Sequence, residues 1–145
     1  MALTKIDLTI ELREILLKER PQQLYDISPK GTVPVLHLTD GSIIDESVKI
    51  LLWVFNQLNS KNDSENQKQL LDLIDGDFKH WLDRYKYPER YTKHSQTYYQ
   101  EQGIKILTVF EKKLGKETFF EGEIPGLLDM ALFPFIRQFA HVNLD

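Results

Sequence analysis

The stretch Gly31–Ser47, GTVPVLHLTDGSIIDES, decides the fold. Val35, Leu36 and Leu38 form one short apolar run and Ile43 and Ile44 another. Between them lies Asp40-Gly41, a pair suited to the left-handed dihedrals of a tight hairpin turn. Two antiparallel strands are therefore expected. Pro34 is the anomaly, because proline has no N–H to give a ladder and fits only at strand starts, sheet edges or bulges. Asp45, Glu46 and Ser47, taken alone, are ordinary helix-capping residues. They lead into VKILLWVFNQL, which is apolar nearly all round and so reads as a buried helix.

Upstream, Leu8, Ile10 and Leu12 alternate with polar Thr9, Glu11 and Arg13, whereas Ile15, Leu16 and Leu17 run together. The β-branched Thr9, Ile10 and Ile15 tip Leu8 to Leu16 towards a strand. Pro21 suits a helix start, and PQQLYDI reads as one short helix closed at Ser28-Pro29, since a residue before proline avoids helical dihedrals. The first half thus reads β-α-β-β-α. Asn59 to Lys68, NSKNDSENQK, is polar and rich in turn formers, which divides the chain into 1–58, a linker over 59–68, and 69–145.

Beyond the linker the pattern is helical throughout. Leu70, Leu71, Ile74, Phe78, Trp81, Leu82 and Tyr85 recur at three- and four-residue steps, and Tyr98, Ile104, Ile106, Leu107, Phe110 and Leu114 do so more loosely, so two long amphipathic helices are expected. The last segment, GLLDMALFPFIRQFAHV, is apolar enough for the core of a helical bundle, with Pro134 kinking it.

The 145 residues are 41% hydrophobic and 28% charged with a formal charge of −4, the profile of an ordinary globular chain. No lysine and arginine stripe of the kind that tracks a phosphate backbone is present, which argues against nucleic acid as a partner. With no cysteine there is no disulfide framework, thiolate zinc site or thiol nucleophile in these residues. His37, His80, His94 and His141 have no helical ligand spacing, so no metal site is expected. No apolar run approaches the roughly 20 residues that cross a bilayer, and the first residues lack a leader pattern, so a cytoplasmic protein without membrane contact is the expectation.

Lys18 with Pro21 in LLKERP, then SPKGTVPVL, the Asp-Gly turn, and IIDES before an apolar helix resemble the N-terminal thioredoxin-like domain of the cytosolic glutathione S-transferase superfamily. PGLLDMALFPFIRQFAHV is similar to the core helix of its C-terminal helical domain. The resemblance implies an α/β plus all-α chain, a partial thioredoxin-like domain followed by a helical bundle, with glutathione as co-substrate. It implies that the Val33-Pro34 bond is cis, exposing the backbone of Val33 so that an extended peptide can pair with it as an added strand. On the same reading Glu46 and Ser47 hold the γ-glutamyl end, and Lys18, matching a lysine of omega-like members, meets the glycine carboxylate. Asp129 matches the family's capping aspartate, although Gly126 stands where a Ser or Thr cap is expected, which weakens that helix start by about 1 kcal/mol or less.

The family begins with a strand and helix that carry a catalytic Tyr, Ser or Cys, whereas Met1 to Asp7, MALTKID, resembles only the tail of that helix. The chain is thus expected to be truncated at its start, and at its end near Asp145. No catalytic residue is assigned, and the loss leaves backbone groups unpaired at about 1–3 kcal/mol each. Two classes of function follow. One is a transferase, often a homodimer, that joins glutathione to a small electrophile. The other is a catalytically impaired relative, either a non-catalytic interaction module or a fragment of a mis-called or degraded gene.

Overall fold

A computed structural model describes residues 2–58 and 65–143, which fall into two compact units, Met1–Ser60 and Lys61–Asp145. The first is a partial thioredoxin-like unit and the second is all helical. After a short 3-10 turn, Ala2–Lys5, the first unit contains helix α1 (Gln22–Ile27), strands β1 (Val35–His37) and β2 (Ile43–Asp45), and helix α2 (Ser47–Gln57). The strands pair antiparallel with Val35 opposite Asp45, Leu36 opposite Ile44 and His37 opposite Ile43. The loop is closed by the Leu38 N–H donating to the Ser42 carbonyl at 2.8 Å, while the Ser42 N–H donates to Asp40 Oδ1 at 2.8 Å. Leu24 of α1, Leu36 of β1 and Ile50, Leu51, Val54 and Phe55 of α2 are the buried apolar side chains of this unit.

The strand expected over Leu8 to Leu16 does not form. Only β1 and β2 pair among the described residues, and Leu8, Leu12 and Leu16 are 42%, 80% and 69% exposed. The alternation of Leu8, Ile10 and Leu12 supplies one apolar face, but a strand also needs a neighbour to receive its N–H and C=O groups.

In the second unit helix α3 (Glu65–Leu73) runs through a π turn, Ile74–Phe78, into α4 (Lys79–Lys86), making one continuous helical segment where the spacing from Leu70 to Tyr85 predicts one. Of the expected linker 59–68, positions 59–64 lie outside the described residues, and 65–68 belong to α3, where Glu65 places an acid in the first turn. A short turn, Pro88–Arg90, precedes α5 (Gln96–Leu114), which Ser95 caps by accepting from the Tyr98 N–H at 3.1 Å. Helix α6 (Leu127–Ala140) holds Pro134 in its interior. Ile74, Phe78, Leu82, Leu127 and Leu132 are at most 2% exposed, and the Phe78 ring meets Phe110 edge-on at 6.5 Å and Phe139 at 5.8 Å. Burial raises the Tyr85 phenol pKa, and its oxygen accepts from Gln100 Nε2 at 3.0 Å.

The start of α6 shows how a glycine cap is compensated. Asp129 Oδ2 accepts from the Gly126 N–H at 2.9 Å, and its Oδ1 from the Phe120 N–H at 3.2 Å. Glycine cannot return the second bond of a capping box, so only half of that motif is present. Glu121, outside the helix, supplies an acceptor instead: its Oε2 takes the Leu127 N–H at 2.8 Å, and its Oε1 is bonded by the buried Gln67 of α3. A Cβ at position 126 would overlap the Glu121 carboxylate, so the missing side chain is what makes room for the borrowed cap. Glu121→Ala should lower stability by about 1 kcal/mol in chemical denaturation, and adding Gly126→Ser should recover most of that loss, whereas Gly126→Ser alone should not stabilise.

Candidate functional site

The hairpin register brings two stretches to its open end. Val35 stands opposite Asp45 in the last pair of the ladder, so Val33-Pro34 before one strand and Glu46-Ser47 after the other follow at the same end of the hairpin. The Val33-Pro34 peptide is cis. Val33 lies outside the ladder and is 45% exposed, and among the described residues no hydrogen bond holds its N–H or C=O.

On the opposite side the chain turns from β2 into α2 within a single residue. Glu46 has φ 73° and ψ 132°, a conformation that a residue with a side chain rarely takes, of the kind that costs about 1–3 kcal/mol and concentrates at functional sites. Its carbonyl accepts the first helical bond, from the Ile50 N–H at 3.1 Å. Ser47 is the first residue of α2 and is exposed, so the leading N–H groups of this 11-residue helix begin at the same open end.

The loop before Val33 contributes a cation. Gly31, at φ 61° and with the Tyr25 ring where a Cβ would stand, turns the chain sharply after Lys30. Lys30 Nζ then lies 3.0 Å from Glu46 Oε1 and 3.4 Å from Asp45 Oδ2. Lys49, one turn into α2, reaches the same two carboxylates, at 3.4 Å from Glu46 Oε1 and 3.5 Å from Asp45 Oδ1. Hydrogen bonds from Lys30 and Lys49, reinforced by their charges, hold the Glu46 carboxyl below the usual glutamate range. Desolvation, the largest single influence on Asp45, pushes its carboxyl up, yet the two lysine charges together bring it below its ordinary value. The Lys30 ammonium is correspondingly raised, first by its hydrogen bond to Glu46 and then by the charge of Asp45.

Val33, Pro34, Glu46 and Ser47, singled out in the sequence, therefore share one end of the first unit. Lys18 does not join them through any ion pair: it lies in an exposed turn at 17–18, and the cation that meets Glu46 is Lys30. Asp129 belongs to the second unit and its contacts are those of a helix cap. Sequence reasoning passed over Lys30 and Lys49. Lys49 was open to discovery by its three- and four-residue spacing from Glu46 and Asp45, whereas Lys30 has no such local signal.

Residues 1–62 match the family model described as glutathione S-transferase, N-terminal domain. Among curated proteins none matches the sequence. Among solved structures the chain is similar to BphK, a bacterial glutathione S-transferase solved as a ternary complex. They are 23% identical with a TM-score of 0.79, over 99% of this chain and 78% of that one. It is also similar to a glutathione S-transferase from Pseudomonas fluorescens Pf-5, at 22% identity and a TM-score of 0.65, covering 87% of this chain and 68% of that one. A glutathione transferase family member from the same organism, solved with two glutathione molecules bound, is 19% identical with a TM-score of 0.66, over 83% and 60% of the two chains. The structural likenesses establish the fold, and with the family model they support the resemblance to the cytosolic glutathione S-transferase superfamily.

Because both carboxyls are held low, the ion network contributes above the ordinary carboxylate range and is lost as pH falls through their folded-state values; on the alkaline side it persists until pH rises through the raised value of Lys30. Carbon-detected NMR titration should find the Glu46 carboxyl midpoint below that of a free glutamate, and Lys30→Ala should move it back up.

Proposed function

We propose, from a fold shared with glutathione S-transferases, that the open end of the hairpin binds glutathione. The observation that carries this reading is the juxtaposition of an exposed, unpaired Val33 backbone with Glu46 and Ser47 at the start of α2. An extended tripeptide laid along Val33 gains two backbone hydrogen bonds of the kind a sheet edge offers an added strand. Its γ-glutamyl carboxylate then meets the Ser47 hydroxyl and the helix N–H groups, which favour an anion both by donation and by the helix dipole. Its ammonium meets the Glu46 carboxylate. Lys18 is the proposed partner of the glycine carboxylate at the far end.

The reading is one of binding with slow turnover. A transferase must lower the thiol pKa of glutathione or form a mixed disulfide with it. These residues include no cysteine, and Ser47 is engaged at the γ-glutamyl end.

Titration calorimetry with glutathione at neutral pH tests the site. Binding should be measurable, and Ser47→Ala should weaken it about tenfold or more, the scale of one hydrogen bond to a charged group, whereas Glu46→Ala, whose carboxylate already has two lysine partners, should weaken it by about threefold or less. Lys18→Ala should weaken it less. Absence of binding by the unsubstituted protein overturns the reading, and transfer of glutathione to an aryl halide at ordinary transferase rates overturns the assignment of slow turnover.

A further inference from the structure

The four charges of Lys30, Asp45, Glu46 and Lys49 carry an inference that rests on the glutathione-binding reading and goes beyond it. Lys30 and Lys49 converge on one atom, Glu46 Oε1, at 3.0 and 3.4 Å, and both also reach Asp45. Two carboxylates are matched by two ammoniums. A lone carboxylate at this corner would draw a ligand ammonium strongly. Here an incoming ammonium must share its acceptor with two resident ones and meets their like charge.

The same arrangement acts in the opposite sense on a ligand carboxylate. Lys49 places positive charge in the first turn of α2, where the helix dipole is already positive and only an anion is favoured. Lys30 comes from the loop that leads into Val33, so its charge lies beside the backbone along which a peptide would extend. Neither lysine occupies a position at which the sequence resemblance assigns a contact with glutathione.

We infer that Lys30, together with Lys49, is a specificity-determining residue: it neutralises the Glu46 end of the site and shifts recognition from the α-ammonium of the ligand to its carboxylates. The substrate class that follows is γ-glutamyl peptides with or without a free amine. An N-acylated γ-glutamyl peptide is then accepted nearly as well as glutathione itself.

The test compares two ligands on one protein. Titration calorimetry of the unsubstituted protein should give dissociation constants for glutathione and for its N-acetyl derivative, acylated on the γ-glutamyl nitrogen, within about threefold of each other, since exposed ion pairs contribute little each. Lys30→Gln should widen the ratio in favour of glutathione by about two- to fivefold, and Lys30→Arg should restore it. Because Lys30 is exposed and its ion pairs contribute little, thermal unfolding of the variants should stay cooperative and within a few degrees, about 5 °C, of the parent, which shows that the fold is kept. A ratio that stays put or narrows in Lys30→Gln, with glutathione still bound, overturns the role of Lys30 and leaves the binding reading intact. Failure of both compounds to bind the unsubstituted protein overturns the binding reading itself and this inference with it.

Discussion

The corner at Glu46, where a strand becomes a helix within one residue, is the constraint on which the candidate site depends. At φ 73° the backbone there sits in a region that a residue with a side chain enters only when its surroundings hold it. What holds it is visible. The ladder from Val35 to His37 fixes the strand side, the Ile50 N–H bonded to the Glu46 carbonyl fixes the helix side, and two lysines pull on the Glu46 carboxylate. Relaxing the corner would swing Ser47 and the leading N–H groups of α2 away from Val33. Hairpin register, helix entry and charge placement are thus three views of one junction.

The second unit solves a different problem at its own helix entry. Helix α6 begins on a glycine, which leaves its first donors to be met by groups from elsewhere in the chain. Asp129 reaches back and Glu121 reaches across, and Gln67 of α3 steadies the Glu121 carboxylate. A cap assembled from three segments links the entry of α6 to the packing of α3, which a single serine at position 126 would not do.

Much of this was legible in the residues. Asp40-Gly41 between two apolar runs marked the hairpin, and Ser28-Pro29 marked the end of α1, because those signals act over a few residues and do not depend on distant partners. Leu8 to Leu16 misled because alternation reports which way side chains point and says nothing of whether a neighbouring strand exists. Lys30 was hidden for the same kind of reason: 16 residues separate it from Glu46, and only the turn at Gly31 brings them together. Glu121 was equally opaque, since a side chain reaching a helix from outside leaves no periodic trace.

The wide turn at Ile74–Phe78 has a geometric consequence for the long helical segment of the second unit. A π turn accommodates one residue more than the α-helix allows, and each residue advances an α-helix by about 100°. Leu70 and Leu71 before it and Leu82 and Tyr85 after it are all buried, so the wider turn does not carry either stretch off the core. Trimming one position from within the turn would close it to ordinary helix, whereas the same cut in either stretch would screw one end of the rod round by about 100°, more than a quarter of a circumference.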